Sequence, residues 1–301
     1  MKNQNVKTRN YNLDLIVLIL LIMLLAVNTV SAQDDLKQGI ENFEKKNYYG
    51  AKKFFNDYLQ KNPEKAEAYY YLGRIAIEEK DLELATECLN KATDIENTES
   101  EYFTWKGIAY VQLLSTVDFM RQGIYAQKAL IALEKAVDLD PRNINARMWL
   151  AGYYTQAPVF AGGSQEKTKE QYLAILDIDP SHMPAYINYG MALIGFKEYD
   201  LAFENFQKSK EYDPENHAIF LLIGKLSAES GKYALEGEKS LKKFIESAPR
   251  EFQDSKDEAW WYLGTILLQG GDSENARKAF KKAVALNPDE EDYQKSLNKL
   301  M

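Results

Sequence analysis

Glycine recurs in this chain at a fixed interval, inside stretches that otherwise read as helix, and no other feature restricts the fold as much. Gly39, Gly73, Gly107, Gly190, Gly224 and Gly264 each open the same pattern, with Ala151 standing in once, so six of the sixteen glycines share one register. A glycine inside a helix costs about 1 kcal/mol against alanine. Its return in register implies that two backbones approach closely at each of these points. Ala51, Ala85, Ala129, Ala202 and Ala276 follow, and Pro63, Pro141, Pro180, Pro214, Pro249 and Pro288 close the segments, with Asn97 replacing one proline. In the first, fifth and seventh segments the steps from glycine to alanine to proline are twelve and twelve residues, and Gly39, Gly73 and Gly107 stand 34 apart. A period of that size is the mark of a repeat architecture.

The last segment, residues 258–288, shows one whole repeat. Trp260, Leu263, Gly264 and Leu267 fall on one face of a first helix, Gly270, Gly271 and Asp272 break it, Ala276, Phe280 and Ala283 form the facing stripe of a second, and Pro288 stops that one. Gly264 and Ala276 are read as the point where the two helices cross. This pattern resembles the tetratricopeptide repeat (TPR). The resemblance implies an all-α fold, a right-handed α-solenoid of helix-turn-helix repeats with a C-terminal capping helix. Seven repeats are read, at approximately 36–63, 66–97, 100–141, 144–180, 183–214, 217–249 and 257–288, with the cap over 289–301. Each repeat buries its apolar face only against its neighbours, so residues 33–301 are expected to form one continuous solenoid.

Residues 1–32 read as a signal peptide. Lys2, Lys7 and Arg9 precede thirteen apolar residues, Leu15 to Val27, and Val30, Ser31 and Ala32 suit a signal peptidase, which places cleavage between Ala32 and Gln33. Thirteen helical residues rise about 20 Å, short of the roughly 30 Å hydrocarbon core. No stable membrane anchor is therefore expected after cleavage, and no cysteine near the run offers a lipid anchor. The expected location is an exported compartment, the periplasm, with secretion as the alternative. Removing residues 1–32 takes away three cations and the anion Asp14, so the net charge moves from −8 to −10. An acidic chain whose lysines are interleaved with acids has no long-range attraction for nucleic acid. The single cysteine, Cys88, allows no intramolecular disulfide and reads as a small packing residue.

Three repeats depart from the pattern. In the third, Gly107 and Ala129 are 22 apart, so ten residues are inserted, and Thr116 or Asp118 is the expected N-cap of a long second helix over 119–139. The fourth carries five extra residues in Ala157 to Ser164, where a proline and paired glycines require a loop. Val159 and Phe160 are expected to tuck onto a neighbouring repeat, or else the loop shapes the rim of a groove. The sixth has one extra residue near Gly237, and a polar connector over 250–256 precedes the seventh.

The sequence contains no phosphate loop, nucleophile elbow, Cys-His pairing or metal-binding histidine spacing. His182 and His217, the only histidines, each precede a first helix. No cofactor, no metal and no enzymatic activity are expected. In the TPR family the first helices line a concave surface, and carrying those positions over gives Tyr70, Arg74, Ile77, Thr104, Ile108, Val111, Met148, Gly152 and Thr155. The later repeats add Ile187, Met191, Ile194, Leu221, Lys225, Ala228, Trp261, Thr265 and Leu268. This lining is apolar. It is either an exposed binding groove or a surface closed by tight curvature between successive first helices, and Trp261 is the foremost candidate contact. Only Arg74 and Lys225 supply charge, which disfavours the family's grip on a partner's terminal carboxylate. The resemblance implies a non-catalytic scaffold for a protein or peptide partner. The alternative is a ligand-binding accessory component of a transport system, suggested by the insertion at Pro158 to Gly163.

Overall fold

The computed structural model describes residues 35–300, so the apolar run and the cleavage point between Ala32 and Gln33 lie outside the described residues. Helix starts follow local turn chemistry. Asp81, Asp118, Ser164 and Asp272 each accept a hydrogen bond from a backbone N–H three residues on, satisfying donors that a helix start leaves unpaired. Five first helices end in left-handed turns seven residues beyond the crossing glycine. That position is lysine at Lys46, Lys80 and Lys197, and glycine at Gly231 and Gly271.

Packing divides the described residues into two compact bodies, 35–153 with 160–162, and 154–159 with 163–300. In the first body α1 (residues 35–44) and α2 (Tyr48–Lys61) form one hairpin, α3 (Ala66–Glu78) and α4 (Leu82–Ile95) the next, and α5 (Ser100–Leu113) and α6 (Phe119–Leu139) the third. Helix α7 (Ile144–Gln156) carries the boundary between the bodies. The second body contains α8 (Gln165–Ile178), the hairpins α9 (Met183–Gly195) with α10 (Tyr199–Tyr212), α11 (His217–Ser230) with α12 (Ala234–Ser247), and α13 (Lys256–Gln269) with α14 (Ser273–Leu286), and the closing helix α15 (Glu291–Asn298). Among the described residues there is no strand, and the all-α hairpin fold is the one the repeat pattern implies. First helices of successive repeats touch, α3 with α5 in the first body, α9 with α11 and α11 with α13 in the second.

Each crossing glycine faces a large side chain, and here the structure corrects the expected pairing with alanine. A Cβ built on Gly39, Gly73, Gly107, Gly190, Gly224 or Gly264 would lie within 3 Å of Phe55, Leu89, Leu133, Phe206, Leu241 or Phe280 respectively. The glycine is thus a socket for the residue sixteen positions on in the regular repeats. Ala51, Ala85, Ala129, Ala202 and Ala276 are completely buried one turn earlier on the same face. Gly237 takes the alanine's place in the sixth repeat, packed against Ser227, and Thr168 takes it in the fourth, with no exposed surface.

The ten inserted residues of the third repeat lengthen helix rather than loop. Helix α6 runs 21 residues from its N-cap Asp118, whose side chain accepts from the Arg121 N–H at 3.2 Å. The insertion of the fourth repeat contains a short 3-10 turn, Val159–Ala161, and behaves differently from the expected tuck. Val159 is 88% exposed and Phe160 91% exposed, so neither side chain packs on a neighbouring repeat. The Gly163 N–H donates to the Pro158 carbonyl, closing the turn through backbone and leaving these two side chains outside it. The connector over Arg250–Ser255 is also a 3-10 turn.

Candidate binding surface

The residues expected to line the first-helix face separate into three groups. Tyr70, Ile77, Ile108 and Ile194 are buried, with relative exposures of 8%, 7%, 2% and 7%, and Thr104 and Ala228 are buried with them. These side chains fill the space between successive first helices, so the part of the expected lining that they supply is core. Burial pushes the Tyr70 hydroxyl up to about 12, which keeps it neutral. A second group is half-buried: Val111 and Met148 in the first body, Ile187, Leu221 and Leu268 in the second. Met191 stands apart at 43% exposure.

Arg74 does not reach out as a clamp. Its guanidinium carbon lies 4.6 Å from the Phe43 ring centre and 4.4 Å from that of Trp105, and one N–H donates to the Tyr70 hydroxyl at 3.0 Å. Its Nε is buried without an acceptor. Aromatic faces carry the negative end of a quadrupole, so they stabilise this charge in place of a carboxylate. Trp261 is likewise occupied. Its indole N–H donates to Ser296 Oγ of α15 at 3.1 Å, and its ring centre lies 5.7 Å from that of Tyr293. The closing helix covers the tryptophan that the sequence put forward as a contact. Around it Asp254, Asp257, Glu258, Glu290 and Asp292 border an acidic recess of about 280 Å³. Four of these carboxylates bind their own surroundings: Asp257 accepts from Asn287 at 3.0 Å, Glu258 from the Tyr262 hydroxyl at 2.5 Å, Glu290 from the Asp292 N–H at 3.5 Å and Asp292 from Lys295 at 3.3 Å.

Met191, Ile194 and Lys225 do come together. With Gly195, Lys197, Tyr199, Leu222 and Glu229 they line an open groove of about 440 Å³ between α9 and α11. Ile194 forms the buried floor, and Met191 and Leu222 offer apolar walls. Lys225 Nζ stands 3.9 Å from Glu229, and no described residue pairs with Lys197. Lys197, Tyr199, Leu222 and Glu229 are outside the set read from the sequence. Lys197 and Tyr199 belong to the turn and the start of the second helix, so a list confined to first-helix positions passes them over. A second, more apolar groove of about 610 Å³ lies over α8, α9 and α10 of the same body. It is lined by Leu173, Leu176, Tyr186, Leu201 and Phe203 among others, and Leu173 is 56% exposed.

The groups with chemical potential are engaged in structure. His182 caps α9 by accepting from the Ala185 N–H at 3.2 Å, and His217 Nε2 lies 3.1 Å from Ser247 Oγ. Cys88 is buried, and desolvation pushes its thiol up to about 11, far from the thiolate that nucleophilic work requires.

Helical hairpins of this period, with a glycine socket in the first helix, define a helical-repeat protein with a groove between first helices. Residues 42–106, 184–216 and 257–290 match models of the tetratricopeptide repeat. The chain is a tetratricopeptide repeat protein. It is 29% identical over 219 residues, 73% of its length, to the BBSome complex member BBS4 of Bos taurus, of which the match covers 38%. The chain spans about two fifths of the length of the curated relatives it matches. Among solved structures it is similar to the C-terminal part of a TPR repeat-containing protein from Cytophaga hutchinsonii, with a TM-score of 0.65 at 19% identity, covering 87% of this chain and 99% of that one. It is similar also to YrrB, described as a TPR protein with an unusual peptide-binding site, with a TM-score of 0.53 at 16% identity over 70% of this chain and 98% of that one. At these identities the structural likeness establishes the fold.

Proposed function

We propose that this protein is a non-catalytic scaffold that holds a segment of a protein partner in the groove between α9 and α11. The observation that carries the reading is Met191, a large apolar side chain 43% exposed at the mouth of a groove whose floor is the buried Ile194. Apolar surface held open to water gains about 25 cal/mol per Å² when a partner covers it. The groove is partly open to solvent, with Met191 exposed at it, which suits a chain segment. A small apolar ligand favours a site that buries most of its surface, so the reading as an accessory of a transport system is the weaker one. The likeness to YrrB, a TPR protein with an unusual peptide-binding site, and to BBS4, a complex member, supports a role in binding protein.

An exported compartment is part of the proposal, on the strength of the basic, apolar and small-residue pattern from Lys2 to Ala32. N-terminal sequencing of protein from the native host is expected to begin at Gln33, and recovery of an intact Met1 start would refute this part. Site-specific photocrosslinking tests the groove. A benzophenone residue at Met191 is expected to capture a polypeptide, while the same residue at Leu173, in the groove over α8 and α10, captures none. Adducts from Leu173 alone would move the binding site to that second groove.

A further inference from the structure

We infer that the partner segment seated between α9 and α11 is apolar and carries an internal carboxylate side chain, an aspartate or glutamate that lies against Lys197 and Lys225. The inference rests on the groove being the binding site and names the chemistry that site selects. Several lysines of the same body have close acidic partners, among them Lys169 with Glu198 at 2.6 Å, Lys232 with Asp200 at 2.8 Å and Lys243 with Glu215 at 2.7 Å, whereas others, such as Lys239 and Lys282, have none among the described residues. The groove lysines belong with the weakly paired ones. Lys197 has no pair among the described residues, and Lys225 has only Glu229, 3.9 Å away. The charged groups lining the groove are therefore two lysines and one glutamate, a local excess of one positive charge on a chain of net charge −8.

Met191 and Leu222 flank these charges, so one segment can cover apolar surface and meet ammonium groups together. Covering the site removes water from Lys197 and Lys225, and a charge deprived of water without a counter-ion is costly. A partner carboxylate removes that cost, whereas a neutral segment leaves it standing and a basic segment adds repulsion. Glu229 is the internal competitor, because it neutralises part of Lys225 before any partner arrives. Recognition of a chain end is a different arrangement, needing several donors around one terminus, and the half-buried Leu221 and Ile187 offer none.

The test uses the full chain and a phage library of random twelve-residue peptides displayed with no free carboxyl terminus. Enriched peptides are expected to combine apolar residues with an internal Asp or Glu. Synthetic versions with amidated ends, measured by fluorescence anisotropy, are expected to weaken about fivefold when the acid is changed to its amide, the upper range for a solvent-accessible ion pair. Lys197→Gln with Lys225→Gln should abolish that preference without weakening the amide peptide, and Glu229→Gln should tighten the acidic peptide only. Peptides that bind through Met191, weakening on Met191→Ala, but show no preference for an acid would overturn the inference and leave the groove reading intact. Enriched peptides indifferent to Met191→Ala, or no enrichment at all, would overturn both.

Discussion

The socket made by each crossing glycine has a measurable cost when filled, and Gly190 in α9 is the sharpest case. A methyl group there would sit 2.8 Å from Cδ1 and 2.9 Å from Cζ of Phe206, where carbon atoms settle at about 3.5–4.0 Å. Phe206 has no exposed surface, so the ring cannot retreat into solvent. Overpacking of this kind costs about 2 kcal/mol, and alanine returns about 1 kcal/mol of helix propensity, leaving Gly190→Ala about 1 kcal/mol less stable. Gly190→Val adds two carbons against the same ring and restricts χ1, and about 3 kcal/mol is expected. Gly123 in α6 is the control, since a Cβ there meets nothing within 4 Å. Gly123→Ala should therefore gain about 1 kcal/mol from propensity alone. Urea unfolding followed by circular dichroism at 222 nm reads all three, the midpoint falling for Gly190 variants and rising for Gly123→Ala. If Gly190→Ala and Gly190→Val both unfold at the parent midpoint, α9 and α10 do not cross at Gly190 and the socket account is wrong.

Asp118→Ala removes the N-cap of α6 and should cost about 1 kcal/mol, read as a lower thermal midpoint with faster amide exchange confined to the helix start. Lys80→Gly should stabilise by about 1 kcal/mol, because Lys80 holds φ at 63°, a conformation costing an L-residue about 1–2 kcal/mol. Trp261→Ala should release α15, raising amide exchange over residues 291–298, while Met191→Ala leaves the midpoint within about 0.5 kcal/mol of the parent. Cys88 should resist a thiol reagent at pH 8 until urea opens the chain. Its folded thiol, raised from 9.0 to about 11, favours the folded state fully below pH 9 and loses that contribution as pH rises toward 11.

The amino-acid order alone determined the repeat. Gly190, Ala202 and Pro214 are spaced as crossing, small packing position and stop, because close approach, small volume and a missing N–H are properties of single residues and need no knowledge of the neighbours. The length of α6 was equally legible, since Asp118 is a cap and residues 119–139 contain no proline. Part of the groove was legible too: Met191 and Ile194 share one face of α9 by periodicity, and Lys225 holds the equivalent position on α11. Which of those faces stays open was decided only in three dimensions. Periodicity assigns a direction to each side chain but says nothing of the distance to the next first helix, so Ile77 and Ile108 read like Met191 and are nonetheless buried. The same limit hid the cover that α15 places over Trp261, the solvent exposure of Val159 and Phe160, and the arrival of Lys197 and Tyr199 beside α11. Each depends on how far apart packed helices come to rest, a quantity set by the summed volumes of side chains distant in the sequence.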